Sequence, residues 1–184
     1  SILDTPINRF QQGHVLDVPI MLGSVREEAY IFAFMLFKNN ITDAGYTGAL
    51  AYLFNGIFSK VINLYPPTPL FGDKRPQLAH LGTDYLFACP QRNITATIAK
   101  MGRPIYLYEF NHSLSFDGWG PRFPQCVDHV CHGAELPFLF NTARYADFNI
   151  SQQEIQISEV MGAYWTNFAR TGNPNKGTQS VPIT

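Results

Sequence analysis

Two histidines, His129 and His132, lie three positions apart in the segment DHVCHGAELPFLF (128–140), close to Cys126 and Cys131. Imidazole and thiolate groups in such a cluster could bind a metal ion. However, the spacing Cys-x2-His-x-Cys-His does not follow the paired patterns that present two ligands from one turn to a tetrahedral ion. The sequence therefore predicts no metal site and leaves two interpretations, a structural histidine bonded to a carboxylate and the general base of a nucleophilic enzyme.

The general-base interpretation requires a carboxylate partner. Residues 18–24 are a short apolar run ended by Gly-Ser, typical of a buried strand of a parallel sheet, and Glu28 follows it closely. Open α/β sheets keep their sites at the carboxyl ends of the strands. His132 follows a second predicted strand, and Gly133 permits close backbone approach beside it. We therefore expect Glu28 and His132 at one edge of the sheet, as the supporting half of a Ser-His-Glu triad.

The charge and hydropathy of the chain exclude two classes of partner. Its 184 residues include 13 basic and 14 acidic side chains, which leaves no basic face for nucleic acid. The longest apolar run, residues 29–37, is too short for a membrane span and is predicted to be buried core. The composition favours one domain, or a piece of one, with a small or neutral partner.

Four Asn-x-Ser/Thr sequences suggest passage through the secretory pathway, since chance would give about one in this composition. The acceptor residues are Asn40, Asn93, Asn111 and Asn149. The cysteines agree, because Cys126 and Cys131 are close enough to close a small disulfide loop. Cys89 is left over, either as a buried free thiol or with a partner outside the chain.

The remaining patterns predict strands and helices in an α/β order. Ranges 18–24 and 103–110 are predicted strands, and the region 111–134 is predicted to be loop. Helices are predicted over 43–65, over 76–102 with a kink at Pro90, and from a capping box at 151–154 to Gly172. Two strands cannot make a complete sheet, so the architecture is expected to be partial.

Four stretches together resemble the C-terminal portion of a type-B carboxylesterase, the family that includes the cholinesterases. They are VPIMLGSVREEAYIF, DYLFACP, GRPIYLYEFNHSLS with CHGAELPFLF, and MGAYWTNFARTGNPN. The resemblance implies a partial α/β-hydrolase fold, the C-terminal part of a mixed, mostly parallel sheet with helices on both faces. It makes residues 1–184 one segment of a catalytic domain, without the nucleophile-bearing N-terminal part and the extreme C-terminus.

The same resemblance assigns roles to single residues. It makes Glu28 the acid, in a Glu-Glu-Ala sequence where Asp-Glu-Gly is more usual, with Glu27 as the alternative acid or a solvated carboxylate. It makes His132 the general base and Glu135 a support for it. Ile31 and Phe32 fall where relatives line the substrate gorge, although core packing explains both equally well.

Two further positions resemble family residues whose partners lie elsewhere. Cys89 matches a cysteine that pairs further toward the C-terminus, and Asp84 matches a salt-bridge residue. The nucleophile motif Gly-x-Ser-x-Gly and the Gly-rich oxyanion loop do not occur in these 184 residues. The chain is therefore expected to be a fragment of a larger hydrolase, inactive and poorly stable alone.

The predicted parent is a secreted serine carboxylic-ester hydrolase that uses no metal or organic cofactor. Its expected partners are a small ester and the remainder of the same hydrolase chain. The alternative is a non-catalytic, cholinesterase-like adhesion, storage or structural protein. Retention of both Glu28 and His132 argues against that alternative, because a non-catalytic family member does not need to keep either residue.

Overall fold

Two parallel strands form the sheet that positions the candidate site. A computed structural model describes residues 4–14, 16–68, 72–146 and 148–182. Strand β1 (Ile20–Val25) pairs with β2 (Ile105–Phe110), from Ile20 opposite Ile105 to Val25 opposite Phe110. Both predicted strands are confirmed. Their parallel direction brings their carboxyl ends to the same edge of the sheet.

Among the described residues, one helix precedes the first strand, five lie in the connection between the strands and two follow the second strand. They are α1 (Pro6–Gln11), α2 (Tyr30–Leu36), α3 (Asp43–Leu53), α4 (Phe58–Leu64), α5 (Arg75–Thr83), α6 (Cys89–Lys100), α7 (Leu136–Leu139) and α8 (Gln152–Thr171). A π-helical turn (Asp84–Ala88) joins α5 to α6, and short 3-10 turns lie at Asn55–Ile57, Pro124–Cys126 and Ala143–Tyr145. The chain is therefore α/β, with a small parallel sheet and a larger helical part.

Helix α8 begins and ends where the sequence predicts. The Ser151 side chain accepts from the backbone N–H of Glu154, while the Glu154 carboxylate accepts from the backbone N–H of Ser151. At the other end, Gly172 adopts φ 72°, and its N–H donates to the carbonyl of Phe168. Local chemistry at both ends thus defines the helix before any tertiary contact is considered.

The two longer helical predictions are right in type but differ in continuity. The predicted helix over 43–65 is broken between α3 and α4, where Phe54 leaves helical geometry at φ −122° and Asn55-Gly56 follow in a 3-10 turn. The predicted kink near Pro90 takes the form of the π-helical turn just before it. Pro90 lies in the first turn of α6, where its missing N–H costs no helical hydrogen bond.

A close approach of two side chains and one glycine fixes the middle of the sheet. The Tyr108 ring lies over Gly23, its register partner, so closely that a Cβ on Gly23 would be 2.0 Å from Tyr108 Cε1. On α6, the Gln91 side chain donates to the carbonyl of Gly23 at 2.8 Å. Glycine at position 23 therefore allows an aromatic ring to cover the strand.

The largest buried cluster joins the ends of the strands to the elements that carry the candidate site. Val25 and Phe110 pack there with Val130 from the loop after β2 and with Phe138 from α7 and Met161 from α8. A second cluster holds the helices α3, α4 and α5 together around Tyr46, which is fully buried. The strand ends and the loop that carries His132 thus share one core with α7 and α8, while the second cluster forms a helical layer.

The prediction that residues 29–37 are buried core is wrong for four of its nine residues. Ile31 and Ala33 are buried, but Leu36 is 76% exposed and Met35 is 47% exposed. The helix α2 packs one face against α5 and leaves the other apolar face uncovered by described residues. A contiguous exposed apolar face of this kind usually marks a surface that another segment or protein contacts.

Candidate active site

Glu28 and His132 meet at the carboxyl edge of the sheet. Glu28 Oε2 lies 2.5 Å from His132 Nδ1, and its other oxygen, Oε1, accepts from the backbone N–H of Val25 at 2.9 Å. A carboxylate can only accept, so this contact makes Nδ1 the protonated nitrogen and leaves Nε2 as the acceptor of the neutral ring. Glu28 is 5% exposed, whereas the side chain of His132 is 52% exposed.

A disulfide between Cys126 and Cys131 shapes the loop that carries His132. Both cysteines are fully buried, and their Cα atoms are 5.8 Å apart. Gly133, directly after the histidine, adopts φ 87°, which favours glycine because it has no Cβ. Since both sulfurs are in the disulfide, neither thiolate is available as a metal ligand, and no metal-binding cluster of three such groups occurs among the described residues.

The preceding acid, Glu27, binds the same loop. Its Oε1 accepts from His129 Nδ1 at 2.9 Å, and its Oε2 accepts from the backbone N–H of Val130 at 2.8 Å. Burial would raise the pKa of Glu27, but the hydrogen bonds from Val130 and His129 outweigh it and lower the pKa. Glu27 is therefore a paired carboxylate, and the alternative that it is simply solvated is wrong.

Sequence reasoning missed this second pair, although a signal was present. Two adjacent acids follow β1, and two histidines three apart follow β2, so each acid has one histidine to bind across the sheet edge. The Tyr30 ring adds a stacking contact to His129, with centroids 4.0 Å apart and planes inclined by 20°. His129, like His132, is thus bonded to a carboxylate, as the structural interpretation of a histidine requires.

Aromatic rings flank the exposed imidazole. Phe32 lies 5.2 Å and Phe87 5.9 Å from the His132 ring, measured between centroids. Phe87 belongs to the π-helical turn, a kind of turn that is frequent at functional sites. Ile31 instead is buried and packs against the disulfide, so of the two predicted gorge residues only Phe32 lies beside His132 in this chain.

An apolar cavity of about 470 Å³ opens on the Phe32 side. Side chains of α2 and α5 and of the π-helical turn line it, among them Phe32, Ala33, Leu36, Leu81 and Tyr85. Apolar cavities with a few polar groups at one end are the usual form of a small-molecule site. Phe32 is the residue that this cavity shares with the surroundings of His132.

Glu135, the predicted support of His132, carries a buried oxygen with no hydrogen-bond partner among the described residues. Burial raises the pKa of the nearby Tyr108, and the negative charges of Glu135 and Glu28 raise it further. Buried carboxylate oxygens are normally satisfied. No contact between Glu135 and His132 is found among the described residues, so its supporting role stays a prediction.

A second buried carboxylate, Glu154, ties α8 to the loop after β2. Besides the backbone N–H of Ser151, it accepts from the backbone N–H of Ser115 at 2.9 Å and from the Ser115 hydroxyl, and it contacts His112 Nε2 at 3.2 Å. Burial would raise its pKa, but the hydrogen bonds from Ser115 and Ser151 lower the pKa to about 2. The sequence predicted only the capping part of this arrangement.

The four predicted glycosylation acceptors, Asn40, Asn93, Asn111 and Asn149, are all exposed. Asn40 Oδ1 accepts from the Arg75 guanidinium at 2.9 Å. Exposure is necessary for glycosylation but does not demonstrate it, so the four positions stay predictions.

Cys89 is also exposed and has no disulfide partner among the described residues. In the described part of the chain, no helix combines the length and apolarity that crossing a membrane requires.

Comparison with known proteins identifies relatives along the whole chain. The crystal protein of Dictyostelium discoideum is 36% identical over 180 residues, which cover 95% of this chain and 32% of that protein. The cAMP-regulated D2 protein of the same organism is 36% identical over 97% of this chain and 33% of its own length. The para-nitrobenzyl esterase of Bacillus subtilis (strain 168) is 27% identical over 99% of this chain and 35% of its length.

This chain thus spans about a third of the length of the curated relatives it matches. A profile of the carboxylesterase family matches residues 1–183, and that family has the α/β-hydrolase fold. The likeness to type-B carboxylesterases and cholinesterases that the sequence motifs suggested is therefore correct. The chain belongs to the carboxylesterase family.

Proposed function

We propose that this chain is a segment of a serine hydrolase that cleaves carboxylic esters, and that it supplies the acid Glu28 and the general base His132. The observation that carries the proposal is the contact between a buried carboxylate and a half-exposed imidazole at the carboxyl edge of a parallel sheet. Burial keeps the acid away from substrate, so it acts on the imidazole alone. Exposure leaves the imidazole free to meet a nucleophile and an ester.

In the proposed reaction, a serine outside this segment attacks the ester carbonyl. His132 Nε2 takes the serine proton as the C–O bond forms, and the resulting imidazolium is stabilised by Glu28. His132 then returns that proton to the departing alkoxide, which leaves as the alcohol. Water repeats the sequence on the acyl-enzyme, releases the acid and restores the serine, and no cofactor is required.

The remainder of the parent must supply the nucleophile, the oxyanion donors and further strands. Each strand here pairs with only one neighbour among the described residues, which leaves two edges for other strands of a mixed, mostly parallel sheet. The apolar face of α2 that the described residues leave uncovered supports the same conclusion. Residues 1–184 accordingly form part of one catalytic domain, with helices on both faces of the complete sheet.

The substrate class follows from the surroundings of His132. Phe32 and Phe87 flank the imidazole, and Phe32 also lines an apolar cavity. A small neutral ester with a hydrocarbon group fits that chemistry better than a charged or polymeric substrate.

The exposed glycosylation acceptors and the disulfide support passage of the parent through the secretory pathway.

A non-catalytic relative is the second candidate. The names of the two Dictyostelium relatives state no hydrolysis, although the Bacillus relative is named as an esterase. A parent with another residue in place of the nucleophilic serine would belong to that class. Its Glu28–His132 pair would then have no proton to accept.

The deciding experiment is fluorophosphonate labelling of the intact protein purified from its source, followed by mass determination. We expect a species much heavier than this chain that carries one adduct, and a loss of labelling in its His132→Gln variant. A heavy species that takes up no label would favour the non-catalytic class. A labelled species no heavier than this chain would overturn the proposal that the nucleophile lies outside it.

A further inference from the structure

Glu27 and His129 lie directly beside the acid and the histidine of the proposed triad. Glu27 holds the loop at three points, since its backbone N–H donates to the carbonyl of Val130 at 3.1 Å while its two carboxylate oxygens bind His129 and the backbone of Val130. Val130 is 2% exposed and lies two residues before His132. The attachment is therefore short and buried.

The charge at this attachment is balanced locally. Arg26 Nη2 lies 3.2 Å from Glu27 Oε2, and the stacked Tyr30 ring covers His129. A cavity of about 440 Å³ adjoins the pair and is lined in addition by His80, Asp84 and Glu109. Because the His129 side chain is only 34% exposed, its contact with Glu27 is partly shielded from water.

The loop that carries His132 is also held by apolar packing, since Val130 packs against Val25 at the end of β1 and the disulfide packs against Ile31 of α2. The disulfide closes it upon itself between Cys126 and Cys131, which restrains its shape but does not connect it to β1. Asp128 adopts φ 63°, a left-handed conformation that Asp tolerates better than most residues. The hydrogen bonds that join this loop to the segment after β1 come from Glu27 and from the Glu28–His132 contact.

We infer that Glu27 and His129 are positioning residues, which hold the loop so that His132 Nδ1 stays in hydrogen-bond contact with Glu28. The two adjacent acids thereby have different roles. Glu28 binds the reacting imidazole, and Glu27 holds the backbone segment that carries it. This inference rests on the proposed function for its effect on catalysis. The contact that it predicts can also be measured without turnover.

The test compares variants of the full-length parent. In Glu27→Ala we expect kcat to fall about 10- to 100-fold while KM changes less than about twofold, because a displaced base impairs proton transfer and not binding. The acid limb of the pH profile of kcat/KM should move to lower pH by about 0.5 to 1 unit, since an imidazolium that loses carboxylate contact has a lower pKa.

Two further variants separate the contacts within the pair. Glu27→Gln keeps an oxygen that accepts from Val130 and an amide that donates to neutral His129, so we expect it to retain kcat within about threefold. His129→Phe keeps the stacking on Tyr30 but removes one hydrogen bond, and an intermediate loss of about fivefold is expected. Asp43→Asn breaks the 2.7 Å ion pair with buried Lys74 and serves as a control that lowers stability without lowering kcat.

A readout that needs no activity is the low-field proton resonance of the Nδ1–H between His132 and Glu28, assigned by its loss in His132→Gln. It should be present in the wild type and in Glu27→Gln and absent or weakened in Glu27→Ala. A Glu27→Ala variant that loses only melting temperature, with the resonance and the pH profile unchanged, would overturn the inference.

The outcomes also separate this inference from the proposed function. A parent that neither hydrolyses esters nor takes up fluorophosphonate would overturn the proposed function, and the resonance in Glu27→Ala would still decide the positioning role. An active parent whose Glu27→Ala variant keeps the wild-type kcat and resonance would overturn the inference alone. A wild-type protein without the resonance would contradict the Glu28–His132 contact and the inference with it.

Discussion

Glu28 and His132 are separated by 104 positions in the chain, yet Glu28 Oε2 lies 2.5 Å from His132 Nδ1. Parallel pairing of β1 with β2 brings the carboxyl ends of the strands to one edge, and the loop after β2 returns to that edge, where Cys131 forms a parallel bridge with Glu27. The backbone N–H of Val25, the last residue of β1, holds the second carboxylate oxygen. The acid is thus oriented by its own strand and the histidine by the acid.

Replacing the acid should impair the reaction of the full-length parent. In Glu28→Gln we expect kcat/KM for a p-nitrophenyl ester to fall about 10³-fold, because an amide no longer stabilises the imidazolium and can bind the wrong tautomer. Glu159→Gln, at an exposed position of α8, is the matched control and should keep wild-type activity. Equal activity of both variants would remove Glu28 from the mechanism.

Removing the disulfide should lower the stability of the parent. The bond closes a loop with a sequence separation of 5, for which loop-closure entropy predicts a cost of about 2 kcal/mol in the double variant Cys126→Ala, Cys131→Ala. Alanine avoids placing a hydroxyl in this fully buried position. Denaturant unfolding would measure the change, and an unchanged midpoint would show that the loop is restrained by its other contacts alone.

The buried Glu154 should make stability depend on pH in the acid range. Its pKa of about 2, against an ordinary value of 4.5, corresponds to about 3 kcal/mol that is fully present above pH 4.5 and lost as the pH falls toward 2. Glu154→Gln should therefore destabilise the protein at pH 7, and the difference from the wild type should shrink below pH 4.5. Unfolding curves at several pH values measure this, with Glu159→Gln as the control.

The glycine under Tyr108 should not tolerate a side chain. In Gly23→Ala the new Cβ would lie 2.0 Å from the Tyr108 ring, so the ring must move, and we expect a loss of about 2 kcal/mol or more. The matched control is Gly162→Ala in α8, where a Cβ meets nothing within 4 Å and alanine should stabilise the helix by about 0.5 to 1 kcal/mol. Equal melting temperatures for the two variants would contradict this account of Gly23.

Much of the fold could be predicted because its signals are local. Capping by Ser151 and Glu154 and the stop at Gly172 depend on hydrogen bonds between residues a few positions apart, so the sequence is sufficient to place α8. The break between α3 and α4 and the exposed face of α2 could not be predicted in the same way. They depend on what packs against those helices, and periodicity does not contain that information.

For the candidate site, the sequence by itself determined which residues have the right chemistry: two adjacent acids after the first predicted strand, two histidines three apart after the second, and two cysteines able to close a loop. Only the tertiary structure decided which acid binds which histidine, with Glu28 on His132 and Glu27 on His129. It also revealed the three extra contacts of Glu154 with Ser115 and His112. The physical reason is that such contacts join positions tens to a hundred residues apart, and the register of β1 on β2 and the packing of α8 bring them together.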